Sequence, residues 1–278
     1  MAVSRAQIIN AHRAIGVIDS GVGGLTVVRE ISRRLPRESI IYFGDTARMP
    51  YGPRTHEEVR RFTFEMIEFL RHQEIKMIVV ACNSATAAGL PFYREACEQP
   101  VLGVIEPGVR AALAQSRSGR IGVIGTPGTI SSLAYEQALR SKNGRLHIVS
   151  KACPLFVLLV ENNLVDTAEA KMVVHEYLDP LVDEEIDSLI LGCTHYPLMK
   201  GLIQEVVGPS VTLINSAEEI AREVEAILAE NDMANPLESE TPRHRYFVSG
   251  SPETFEEVGA KLLRRPVKAY QVKLTPLV

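Results

Sequence analysis

A chain of 278 residues, 46% hydrophobic and 23% charged, is long enough for one large α/β domain or two domains of ordinary size. Its net charge of −4 and lack of a basic block argue against a nucleic-acid binder, which needs clustered Lys and Arg. The longest apolar runs, Met77–Cys82 and Leu155–Val160, fall far short of the ~20 residues that span a bilayer, so no membrane role is expected.

Residues 1–13 carry Arg5 and Arg13 but no continuous apolar stretch, and read as an ordinary extension rather than a signal peptide. Ala14–Asp19 follows as a short buried strand, broken by the Gly-rich turn Ser20-Gly21-Val22-Gly23-Gly24. Leu25–Leu35 reads as a helix stopped by Pro36, and Ser39–Gly44 as the next strand. Thr55 is placed to cap a helix in which Val59, Phe62, Met66, Phe69 and Leu70 recur at helical spacing. Lys76–Ala81 is a strand, Ala85–Cys97 a helix and Val101–Ile105 a strand. Such alternation implies a mostly parallel sheet covered by helices on both faces.

The pattern then restarts. Ile121-Gly-Val-Ile in the strand Arg120–Gly125 repeats Ile15-Gly-Val-Ile at an offset of 106. Further on, Ile186–Cys193 repeats Ile75–Cys82, hydrophobe for hydrophobe, at an offset of 111. Two landmarks in the same order with nearly the same period favour an internal duplication. Leu146–Ser150, Ser188–Gly192 and Val211–Ile214 read as strands, with a helix of roughly Thr167–Val182 between the first two. After the helix Ala217–Glu230 and a polar segment, strand Tyr246–Ser249 and helix Pro252–Leu263 have no third repeat to join. They are expected to return to the first half. The resulting division is residues 1–106 with 216–278 as a discontinuous first domain, and 107–215 as the second. Residues 264–278 receive no element.

Four cysteines, Cys82, Cys97, Cys153 and Cys193, include no CxxC pair, which removes the usual zinc and thioredoxin-type readings. Free thiols in a reducing cytoplasm are expected. Cys97 and Cys153 are assigned to the common role of cysteine as a small buried hydrophobe. Cys82 and Cys193 differ, because each closes a strand and precedes a helix, where helix N-termini favour a thiolate. In open α/β sheets sites form at these strand ends. Asp19-Ser20, Cys82-Asn83-Ser84, Thr126 and Cys193-Thr194-His195 all fall there, a collection suited to a small zwitterion. Paired thiols on matching strand ends suit proton handling from two opposite sides, and so inversion of a stereocentre. The ordinary histidine pKa lies near neutrality, so His195 is expected to suit a proton relay. Read singly, Asp19 could serve only to cap a helix or brace the Gly-rich turn. By pattern Glu161 is a helix-surface carboxylate. Gly21–Gly24 lacks both GxGxxG spacing and a P-loop Lys, so it is weak evidence for a nucleotide. No lysine stands at a matching strand end for a pyridoxal Schiff base. A Cys–His nucleophile would leave the second cysteine unexplained.

With these residues in view, the sequence resembles glutamate racemases of the aspartate/glutamate racemase family. The resemblance rests on Gly16-Val-Ile-Asp-Ser-Gly-Val-Gly-Gly-Leu25, Tyr42-Phe-Gly-Asp-Thr46, Pro50-Tyr-Gly-Pro-Arg54, Ala81-Cys-Asn-Ser-Ala85 and Leu191-Gly-Cys-Thr-His-Tyr-Pro-Leu198. It implies an α/β fold of two pseudo-symmetric domains, each a mostly parallel sheet flanked by helices, with the active site in the cleft between them. It implies a racemase without cofactor or metal that supplies D-glutamate for peptidoglycan. Cys82 would act on D-glutamate and Cys193 on L-glutamate, with Asp19 supporting the first thiol and His195 the second. Ser20, Tyr51, Gly52, Asn83, Ser84 and Thr194 would hold substrate, and Thr126 and Thr129 would line the site. Glu161 matches an acidic residue near the second cysteine, although Leu158 stands where the family often has Pro, and Ser84 stands where Thr is frequent. The partners implied are glutamate as small-molecule substrate and a homodimer as the assembly to test. Two alternatives stay open: a racemase of aspartate or a related amino acid, and a two-lobed acidic amino-acid binding protein.

Overall fold

The computed structural model describes residues 11–236 and 241–276; the N-terminal extension read from the sequence lies mostly outside them. In chain order the first half runs β1 (Ala14–Asp19), α1 (Leu25–Arg34), β2 (Ile40–Gly44), α2 (His56–Arg71), β3 (Ile75–Val80), α3 (Asn83–Ala96) and β4 (Val101–Gly103). The second runs α4 (Ile105–Gln115), β5 (Arg120–Gly125), α5 (Pro127–Ser131), α6 (Ala134–Lys142), β6 (His147–Ala152), α7 (Pro154–Glu161), α8 (Ala168–Val182), β7 (Ser188–Gly192), a 3₁₀ turn (Tyr196–Met199), α9 (Lys200–Val207) and β8 (Thr212–Asn215). Then come α10 (Ser216–Glu230), β9 (Arg245–Val248), α11 (Pro252–Leu263) and β10 (Ala269–Gln271). Among the described residues no helix is long and apolar enough to cross a membrane.

Two wholly parallel sheets result. One has the order β10-β9-β2-β1-β3-β4, the other β6-β5-β7-β8. The order β2-β1-β3-β4 within the first is reproduced by β6-β5-β7-β8. The register is duplicated too: Ile18 pairs with Val80, and their repeats Ile124 and Leu191 pair with each other. Strands β9 and β10 return to the first sheet, with β9 beside β2. The strand β10 corrects the reading that left residues 264–278 without an element.

Alternating side chains send each sheet's apolar residues to both faces. On the first sheet, Ile15 and Val17 pack with Leu25, Val28 and Ile31 of α1, with Ile220 and Val224 of α10 and with Phe255 of α11. Ile18 and Ile78 face Val59, Phe62 and Met66 of α2 and Tyr93 of α3. In the second sheet, Ile121 and Val123 pack with Val109 of α4 and with Tyr135 and Leu139 of α6, while Ile124 and Leu191 meet Phe156, Val174 and Ile203. The α2 start follows its sequence signal, because Thr55 accepts from the Glu58 N–H while the Glu58 carboxylate bonds the Thr55 N–H. The strand expected at Val101–Ile105 stops at Gly103, because Ile105 already opens α4.

Candidate active site

In each sheet the chain order reverses around one strand: β1 lies between β2 and β3, and β5 lies between β6 and β7. Such switch points open a crevice beyond the carboxyl ends of the strands. Asp19 ends β1 and Cys82 follows β3; Thr126 follows β5 and Cys193 follows β7. The two crevices meet in one narrow cleft of about 380 Å³ of open space, lined by Ser20, Tyr51, Gly52, Cys82, Asn83, Ser84, Thr126, Glu161, Cys193, Thr194 and His195. Gly21, Met49, Pro50 and Val157 complete the wall and were not foreseen from sequence. Asp19 and Thr129 do not line it. They sit one layer behind, fully or almost fully buried.

On the first side, Cys82 has extended backbone and caps α3, its sulfur 3.5 Å from the Ala85 N–H nitrogen that donates to it. The thiol also donates to Ser20 Oγ at 3.6 Å. Asp19 accepts the Gly21 N–H at 3.0 Å with one oxygen and the Thr194 hydroxyl at 3.4 Å with the other. It therefore braces the Gly-rich turn and also reaches the loop of the second cysteine. Burial raises its pKa, opposed by the charge of His195 and by these hydrogen bonds.

The expectation that the helix N-terminus makes Cys82 a ready thiolate is overturned. Burial, reinforced by the charge of Asp19, pushes its pKa up to about 12. One N–H contact at 3.5 Å is too little to offset the loss of water around a charged sulfur. The charge of Cys193 contributes, as the smallest of the causes, to the same rise.

Across the cleft, Cys193 is followed by a 3₁₀ turn rather than a full α-helix. Its sulfur lies 3.8 Å from His195 Nδ1, whose Nε2 is 3.1 Å from Glu161 Oε1. Burial lowers the pKa of His195, but the hydrogen bonds and charges of Cys193 and Glu161 outweigh it and raise the value to about 10. The imidazolium is the stable form at neutral pH. Glu161, which pattern alone put on a helix surface, thus faces the cleft from the last turn of α7.

The sheets are stitched together at the site. Ser84 Oγ is 2.9 Å from Thr126 Oγ1, which caps α5 and donates to Thr129 Oγ1 at 3.0 Å. The Gly128 N–H donates to Gly52 O at 2.9 Å, and His56 Nε2 lies 3.0 Å from Gly128 O. Thr26 Oγ1 donates to Gly23 O at 2.8 Å and lies 3.3 Å from Thr194 O. Gly23 explains its own turn: a Cβ there would lie 2.5 Å from Thr194 Oγ1 and 2.7 Å from the His195 ring. The glycine run permits contact between halves, a reason invisible in the local sequence. Tyr51 differs from expectation in one respect. Its hydroxyl donates to the buried carboxylate of Asp45 and its ring packs 5.8 Å from that of Phe62, while the residue still lines the cleft.

Comparisons with known proteins agree with this arrangement. Residues 15–224 match the family model described as Asp/Glu/Hydantoin racemase. A glutamate racemase of Listeria monocytogenes (serotype 4a, strain HCC23) is 51% identical over 254 residues, covering 91% of this chain and 95% of that one. The solved glutamate racemase isoform RacE1 from Bacillus anthracis superposes with a TM-score of 0.92 at 49% identity, covering 95% of this chain and 98% of that one. The glutamate racemase from Francisella tularensis, solved with D-glutamate, gives a TM-score of 0.89 at 37% identity, covering 96% and 100%.

Proposed function

The chain belongs to the Asp/Glu/hydantoin racemase family, and from that premise we propose that it interconverts L- and D-glutamate by proton transfer between two thiols. The observation that carries the reading is the placement of Cys82 and Cys193 at equivalent strand ends of different sheets, opening onto one cleft. The α-proton of an amino acid is weakly acidic and a thiolate is a modest base. Desolvation in a closed site, orientation, and hydrogen bonds that strengthen as charge moves onto the carboxylate supply the difference.

One thiolate removes the α-proton and the opposite thiol delivers another to the far face. Cys193 would take the proton from L-glutamate and Cys82 from D-glutamate. The protonated His195 puts positive charge beside Cys193, whereas the Cys82 side carries a carboxylate and a protonated thiol. Asp19 backs the first thiol; His195, oriented by Glu161, backs the second. Ser20, Asn83, Ser84 and Thr194, with Tyr51 and Gly52, hold the substrate, and Thr126 and Thr129 brace Ser84. Substrate would lie between a domain of residues 1–106 and 216–278 and a second of 107–215. D-Glutamate for peptidoglycan, a cytoplasmic location and a homodimer complete the reading.

The enantiomers have equal free energy in water, so kcat/KM must be equal in the two directions at every pH. Differences between the two thiols appear in kcat and KM separately. The test is α-proton exchange in deuterated water on both glutamate enantiomers, with aspartate as comparison, before and after thiol alkylation. Tight binding without exchange would replace the enzyme reading with that of a binding protein.

A further inference from the structure

Tyr135, at the start of α6, is fully buried and belongs to the second sheet's core, yet its hydroxyl leaves that core. It donates to Asn83 Oδ1 at 2.7 Å, the side chain directly after Cys82. Its ring lies against the residue directly before Cys193: a Cβ on Gly192 would meet Tyr135 Cε2 at 3.1 Å. One side chain therefore touches the immediate neighbours of both thiols.

The proton inventory is restrictive. Ser216 Oγ donates to Leu191 O at 3.2 Å and lies 3.4 Å from the Tyr135 oxygen, so the single phenolic proton goes to the shorter contact at Asn83. The amide stands with its oxygen toward Tyr135, the arrangement that uses the shortest contact. The amide nitrogen of Asn83 is then a buried donor with no hydrogen-bond partner among the described residues, on a side chain only 3% exposed that lines the cleft. A buried unpaired donor costs stability, of the order of 1–3 kcal/mol for such groups, and is retained where something else pairs it.

We propose that Tyr135 is a positioning residue that commits the Asn83 amide to present its NH₂ to an acceptor oxygen of the bound amino acid. The inference rests on the racemase reading above and names what enforces substrate orientation beside Cys82. Without the phenolic hydroxyl the amide is free to turn its oxygen toward the substrate carboxylate, where it repels.

A double-mutant cycle tests this, with kcat and KM measured on both glutamate enantiomers for wild type, Tyr135→Phe, Asn83→Ala and the double variant. Tyr135→Phe keeps the ring against Gly192 and is expected to lower kcat/KM about tenfold in the wild-type background. In the Asn83→Ala background the same change is expected to alter it less than about twofold, since no amide remains to be oriented. An equal loss in both backgrounds, or no loss in the first, overturns the proposal. Asn83→Asp gives an arm independent of how Tyr135→Phe folds. It keeps the acceptor for Tyr135 and replaces the donor with a second acceptor, so it should lose more kcat/KM than Asn83→Ala; activity equal to wild type overturns the proposal. The wild-type arm separates the two levels. Absence of racemisation there removes the functional reading and this inference together, whereas an active wild type with an additive cycle removes only the inference.

Discussion

His195 turns its Nε2 to a Glu161 oxygen 3.1 Å away, across 34 positions of sequence. That contact and the sulfur on the other side of the ring hold the imidazole protonated up to about 10, from an ordinary value of 6.5. A histidine whose folded-state pKa is raised adds stability that is complete below ~6.5 and is lost as pH climbs toward ~10. Melting temperature should therefore fall between pH 7 and 9.5, by about 6–12 °C for a loss of about 3 kcal/mol. Glu161→Gln should reduce that slope and His195→Gln should abolish it. A wild-type melting temperature that is flat across this range would show that the ring is neutral.

Removing either sulfur should stop inversion. Cys82→Ala and Cys193→Ala are each expected to lose at least about 10³-fold in racemisation measured by polarimetry, within the range for deleting a general acid or base. The remaining thiol can still take and return a proton on its own face. Cys82→Ala should thus wash deuterium slowly into L-glutamate but not D-glutamate, and Cys193→Ala the reverse. Equal uptake from both enantiomers in either variant would count against the assignment of faces.

Gly23 lets the first half touch the loop that carries Cys193 and His195. Adding a methyl would force Thr194 and the imidazole away by a substantial fraction of an ångström. Proton transfer between fixed donors is steep in distance, and a displacement of about 1 Å can cost 10²-fold. Gly23→Ala should lower kcat 10- to 100-fold and, as overpacking of a buried contact, cost about 1–3 kcal/mol of stability. Near-normal kcat would mean that the halves do not meet here during turnover.

Much of this was legible because the decisive signals are local. Continuous apolar runs ending at polar residues marked β1, β3, β5 and β7, and the repeats of Ile15-Gly-Val-Ile and Ile75–Cys82 gave the duplication that sheet order and register reproduce. Thr55 and Glu58 announced their helix by direct hydrogen bonding. What stayed hidden depends on contacts between distant segments. Strand β10 is three residues long and owes its existence to pairing with β9. Pattern alone reads Glu161 as a helix-surface carboxylate; only the family resemblance puts it near the second cysteine, because its approach to the cleft depends on how α7 docks. The Cys82 thiol was misjudged because a strand end signals a helix N-terminus but says nothing of how far water is excluded. Tyr135 gave no signal at all, since one aromatic in a short amphipathic helix reads as core.

Lys76 is a second such case, a cation within an otherwise apolar strand. It is fully buried, forms an ion pair with Glu38 at 2.6 Å, and donates to the carbonyls of Ala11 and Met233 at 2.8 Å each. Lys76→Met should destabilise by about 3–5 kcal/mol in urea titrations, because it strands the Glu38 carboxylate. Adding Glu38→Gln to that variant should recover part of the loss. A Lys76→Met protein as stable as wild type would show the pair to be dispensable.

The strands β9 and β10 lie in the sheet where the chain began, so the polypeptide passes between the two sheets twice, once after β4 and once after β8. Because of these two crossings, a single cut in the chain at either one would leave the sheets covalently joined through the other.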